Sequence, residues 1–210
     1  HIILFIGDGM HLANELAASR YLYGEDARMS WHGFPYHGYM TTWDIDTYNR
    51  YAGRAGQAAL SVDSFDPKAG YDPSRGGTEP WPLVEIPDPG YFFNALPEMG
   101  GGDDTYAIPA TDSAAAATAI ATGFKTDNGN ISWESGDPVN GQLPTIAELM
   151  RESLGTSIGV VSTVEFSHAT PAAFVAHNVS RGNPGQIAHE IIHVTKPEVV
   201  IGAGHPDWIG

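Results

Sequence analysis

The stretch that most constrains this chain is Thr111-Asp112-Ser113-Ala114-Ala115-Ala116-Ala117-Thr118-Ala119, a serine at the head of a run of small residues. Such a run predicts a helix, and its small side chains let backbone N–H groups approach a bound oxyanion closely. A helix starting here points its positive end at whatever sits on the Ser113 hydroxyl. Asp112 immediately before it and Lys125 one short helix later complete a site suited to a negatively charged reactant. The plainer alternative is an alanine-rich helix with Asp or Ser as its N-cap, with no ligand at all.

Two further segments bear on that choice. The opening run His1-Ile2-Ile3-Leu4-Phe5-Ile6-Gly7-Asp8-Gly9-Met10 predicts a buried parallel strand that delivers the Asp8 carboxylate at its C-terminal edge, where open α/β sheets bind ligands. Flanking glycines remove steric cover and permit a sharp turn. Asp8 as the N-cap of a following helix explains the aspartate but not both glycines. Further on, a second buried strand is expected from about Ser157 to Thr163. It leads into a loop with His168 and Thr170, after which Pro171 opens a helix carrying His177 and Arg181.

Taken together, Gly7-Asp8-Gly9-Met10, the Ser113 block with Thr122-Gly123-Phe124-Lys125-Thr126, then Ser162-Thr163 and His168-Ala169-Thr170-Pro171-Ala172 with Arg181 resemble the alkaline phosphatase family, in the family's order. Matching segments run from residue 2 to about 44 and from 105 to roughly 204. The resemblance implies a three-layer α/β/α sandwich with a largely parallel central sheet. It implies phosphate monoester hydrolysis, with Ser113 as nucleophile forming a phosphoserine that water hydrolyses. Two zinc ions and a magnesium-type third ion are implied as cofactors. On this resemblance Ser113 is a zinc ligand, and Asp8 bridges that zinc and the third metal. Thr170 supplies an oxygen to the third site. Arg181 grips phosphoryl oxygens through its planar fork, and Asp112 orients Arg181. His168 stands where the family has Asp in some branches and His in others, and it is placed behind the ligands rather than among them. His11 stands where the family more often has Gly, and it is read as a helix cap.

The family's remaining zinc ligands come from the second half of its chain. His177, His189, His193 and His205 do not fall in those later motifs, although His189 and His193 have a four-residue helical spacing that can bind a metal. The chain opens directly in a predicted core strand and stops just after a predicted strand from Glu198 to Ile201, so residues 1–210 are expected to be part of a longer catalytic domain. If the chain truly ended at Gly210, an inert phosphate- or metal-binding protein would be the alternative. A metal-dependent phosphodiesterase or sulfatase on the same fold is the nearest enzymatic one, and the Asp112-Ser113-Ala114 block argues against it.

Composition sets outer bounds. Ten Lys and Arg against 25 Asp and Glu give a net charge of −15, which disfavours nucleic acid as a partner and leaves attraction of a phosphate ester to local positive charge. No cysteine is present, hence no disulfide and no thiolate chemistry. No stretch is long enough to span a membrane. The resemblance implies a homodimer and a periplasmic or secreted protein. Residues 45–104 lack helical or strand periodicity and are rich in turn formers. They are expected to form an irregular surface insertion. Its aromatic residues (Trp43, Tyr71, Trp81, Tyr91, Phe92, Phe93) line a cleft, contact a partner subunit or form a cluster of their own, and Asp63, Asp66 and Asp72 do not match a calcium loop. Helices are expected from Pro144 and from Ile187 to His193, the latter leading to the strand at Val199.

Overall fold

A computed structural model describes residues 1–10, 12–36, 44–45 and 112–203. The expectations for residues 46–104, and those for His11, Trp43, Thr111 and His205, lie outside these residues. The chain divides into two compact units, His1–Met40 and Thr41–Gly210.

In the first unit, helix α1 (Leu12–Tyr23) is followed by a single 3-10 turn at Ser30–Gly33. Buried Ser19 ties the helix to the segment after it, donating to the Glu25 carbonyl and accepting from Arg28 N–H. Glu15 on α1 accepts from Trp31 Nε1 at 3.0 Å and faces His32. The expected opening strand is not formed. Residues 1–6 have no ladder partner among the described residues, and Ile2, Ile3 and Phe5 are 80%, 75% and 90% exposed. An apolar run fits a central parallel strand only when strands on both edges and layers on both faces cover it. Within the described part of this unit neither is present. The turn expected after the run does form: Met10 N–H donates to the Gly7 carbonyl, and Gly9 takes φ +69°, which a glycine adopts without strain.

The second unit is built on the alanine run. Helix α2 (Ser113–Thr122) ends at Gly123, whose φ of +81° closes the helix in the left-handed conformation. Its Ala114 and Ala117 pack with Ile131, Ala169, Ala172, Ala173, Val175 and Ile187 in one buried cluster. Small residues on both sides bring the backbones close, so polar groups meet across the contact. Thr118 Oγ1 donates to the Asn130 carbonyl and accepts from Ser132 N–H, and Ser132 Oγ donates to the Ala173 carbonyl.

Helix α3 (Ile146–Leu154) begins at Thr145, with Thr145 and Glu148 forming a reciprocal capping box. Pro144 therefore precedes the cap instead of occupying the first turn. Strand β1 (Gly159–Val161) follows, then the single-turn helix α4 (Ala169–Ala172), helix α5 (Pro184–Glu190), a π-helical turn (Ile191–Thr195) and strand β2 (Val199–Ile201). β1 and β2 pair in parallel with Gly159 opposite Val199, and the helices between them make the crossover. A parallel sheet joined by helices gives an α/β fold. His177 and Arg181 are not on a helix as expected. α4 stops at Ala172, and Asn178 instead exchanges backbone hydrogen bonds with Ile131 at 2.8 Å in each direction.

Candidate active site

The N-terminus of α2 is capped by Asp112. Its Oδ2 accepts from Ala114 N–H (3.1 Å), Ala115 N–H (3.4 Å) and Gly129 N–H (2.8 Å). With Oδ2 so occupied, Oδ1 is turned to Arg181, whose Nη1 lies 2.5 Å away. The same Nη1 donates to Ser113 Oγ at 2.8 Å. Three of the residues expected to act together thus meet at one helix end: carboxylate, hydroxyl and guanidinium. The Asp112 side chain is 10% exposed and that of Arg181 is 32%, so the carboxylate is structural and the cation still faces outward.

His168 is the fourth member. Arg181 Nη2 lies 3.2 Å from His168 Nε2. A guanidinium can only donate, so Nε2 accepts and the ring proton sits on Nδ1. Nδ1 is buried and has no hydrogen-bond partner among the described residues. Thr170, two residues on, is half-buried within α4, the element packed most closely on α2.

Arg181 is positioned by its backbone as well. Its N–H donates to the Gly129 carbonyl at 2.7 Å, while Gly129 N–H holds Asp112. Gly129 therefore braces both partners of the ion pair. The sequence reading missed this residue, although Asp127-Asn128-Gly129-Asn130 is a turn signature that marks it. Lys125 is half-buried, and burial pulls its ammonium down to about 8 against the opposing pull of Asp44. Asp8 stands at the turn of the first unit. His189 and His193 lie with ring centroids 4.6 Å apart and planes tilted by 42°, across α5 and the π-helical turn. Among the described residues, no three of His, Cys, Asp and Glu gather as a metal cluster.

A serine oxygen at a helix N-terminus, gripped by an arginine, is an arrangement for holding a tetrahedral anion. The alkaline phosphatase family model matches residues 91–205. Alkaline phosphatase 4 of Bacillus subtilis is 45% identical over 100 residues, covering 45% of this chain and 21% of the relative. A cold-active alkaline phosphatase from a psychrophilic Shewanella has a solved structure that is 45% identical, with a TM-score of 0.40, covering 45% of this chain and 22% of that one. A histidine-to-aspartate variant of the alkaline phosphatase from the Antarctic bacterium TAB5, solved with Mg bound, is 32% identical with a TM-score of 0.40, covering 44% of this chain and 25% of that one. The chain spans about a fifth to a quarter of the length of the relatives it matches. It belongs to the alkaline phosphatase family.

Proposed function

We propose that this member of the alkaline phosphatase family hydrolyses phosphate monoesters with Ser113 as nucleophile. The observation that carries the reading is the 2.8 Å contact from Arg181 Nη1 to Ser113 Oγ, made by a guanidinium already anchored on Asp112. A phosphoryl group seated beside Ser113 meets the arginine fork on the face that Asp112 leaves open. Ser113 Oγ attacks phosphorus as its hydroxyl proton passes to solvent, the bond to the ester oxygen breaks, and the alcohol leaves with a proton taken back from solvent. A water molecule then attacks the phosphoserine, restoring the hydroxyl and releasing inorganic phosphate. Arg181 balances charge on the equatorial oxygens in both steps, and Asp112 keeps it from swinging into solvent.

The residues present fit a metal-assisted site in part. Ser113 and Thr170 offer oxygen donors, and the buried Nδ1 of His168 lacks a hydrogen-bond partner among the described residues, which suits a polar ligand shell. Ser113 would be a ligand of one zinc ion and Thr170 of the magnesium-type ion, with His168 behind them; Asp8, in the first unit, joins this set on the family resemblance alone, and the family's remaining zinc ligands come from the second half of its chain. When bound, such ions lower the pKa of the serine hydroxyl and neutralise charge on the leaving oxygen. A three-layer α/β/α sandwich, a surface insertion at 45–104, a homodimer and a periplasmic or secreted location belong to the same proposal. No helix among the described residues is long and apolar enough to cross a membrane.

The test is a comparison of turnover on an aryl phosphate, a phosphate diester and an aryl sulfate, with zinc and magnesium supplied and Ser113→Ala as control. Preference for the monoester, lost in the variant, supports the reading. Faster turnover of the diester or the sulfate contradicts it.

A further inference from the structure

His177 takes no part in the chemistry above, yet its ring is almost fully enclosed. It lies four residues before Arg181, in the loop between α4 and α5, with a side chain 9% exposed. Its Nδ1 is 2.8 Å from Glu190 Oε1 on α5. Its Nε2 is 3.1 Å from the Leu143 carbonyl and 3.3 Å from Glu148 Oε2 on α3. Every one of these neighbours is an acceptor, so both ring nitrogens must carry hydrogen and the ring is an imidazolium. Burial opposes that charge, but the hydrogen bonds and charges of Glu148 and Glu190 outweigh it and push His177 up to about 9. Glu148 is also the capping-box residue of α3, accepting from Thr145 N–H and Oγ1. One cation therefore joins the start of α3, the end of α5 and the near end of the loop.

From His177 the bracing runs on to Arg181. Asn178 pairs with Ile131, its Oδ1 accepts from Ser180 N–H and Asn183 Nδ2, and its Nδ2 donates to Gln186. Arg181 N–H then donates to Gly129. The loop is held at His177, along the segment 129–131, and at Arg181 itself.

We propose that His177 is a positioning residue, whose imidazolium pins this loop to Glu148 and Glu190 and so fixes where Arg181 presents its guanidinium beside Ser113. Loss of the proton leaves one ring nitrogen facing an acceptor with nothing to donate, and the loop is released at that end. The charged groups facing the ring are Glu148 from α3 and Glu190 from α5, and the segment before α3 adds the Leu143 carbonyl. The phosphatase reading enters only where phosphate affinity is the readout.

The experiment follows the Arg181 guanidinium carbon and the His177 ring by NMR from pH 6 to 10, alongside inhibition by inorganic phosphate, in the wild type, Glu190→Gln and His177→Gln. Arg181 is expected to shift with the same midpoint as His177, near 9. Glu190→Gln should move both midpoints down together. His177→Gln should weaken phosphate inhibition about five-fold while changing kcat less. An Arg181 resonance that stays fixed while His177 titrates overturns the proposal, as does a Glu190→Gln shift seen at His177 alone. Should His177→Gln fail to fold, the paired midpoints in Glu190→Gln decide. A wild type without phosphatase turnover refutes the phosphatase reading, and the shared midpoint still judges the clamp.

Discussion

Two charged clusters in the same unit are put together differently. Around His177 a cation is enclosed by acceptors at both ring nitrogens and is 9% exposed. Around Arg181 a cation is anchored on one side by Asp112, shares its remaining contacts with Ser113 and His168, and is 32% exposed. The first has every bond of its ring satisfied within the protein. The second has a face left to offer an incoming anion. A buried pair whose partners are complete holds structure, whereas one left half open recruits a ligand.

The sharpest way to break this contrast is to remove the group the open cluster serves. Ser113→Ala should cut turnover by at least about a thousandfold while phosphate still binds, because Arg181 remains. Steady-state kinetics beside phosphate inhibition measures both quantities, and loss of binding together with turnover would count against the division of roles. Arg181→Ala should come next, weakening phosphate inhibition by about ten- to a hundredfold, since charge-assisted hydrogen bonds are lost. The melting temperature should move little, because the arginine is partly exposed. A large fall in melting temperature with unchanged inhibition would show that Arg181 is structural.

The closed cluster predicts a pH effect of its own. His177 lies at about 9 in the folded protein, above its ordinary value of 6.5. Its stabilising contribution is therefore complete below about 6.5 and is lost as pH rises through about 9. Thermal melting at pH 6 and pH 10 should show the fall, and Glu190→Gln should reduce it. A melting temperature that falls equally in both proteins would remove His177 as its source. The smallest effect is expected at the capping box, where Thr145→Ala should cost about 1 kcal/mol in denaturant unfolding.

Much of the open cluster is written locally. Asp112 before a run of small residues marks a capped helix, and the cap itself turns the second carboxylate oxygen toward Arg181. Strands β1 and β2 fall inside the stretches that apolar patterning marks, whereas helix α3 starts two residues after the expected Pro144, behind its Thr145 cap. The loop carrying His177 and Arg181 was less legible. Ala169 to Ala176 has the composition of a continuing helix, but Asn178, Ser180 and Asn183 hydrogen-bond locally and favour turns, and Asn178 finds its partner far away at Ile131. Pairing over that separation leaves no trace in local pattern. The same holds for Ile2 to Ile6, where composition suggests a strand but no partner is present in the described part of the first unit. His177 was visible as a residue, while its role depends on two carboxylates that reach it from different helices.

The central claim is that Ser113 carries the phosphoryl group. Acid quenching during turnover of an aryl phosphate, followed by peptide mass spectrometry, tests it directly. The account predicts one phosphoryl group on the peptide containing Ser113 and none in Ser113→Ala. Sustained monoester turnover with no phosphoserine, or with the phosphoryl group on another residue, would contradict it.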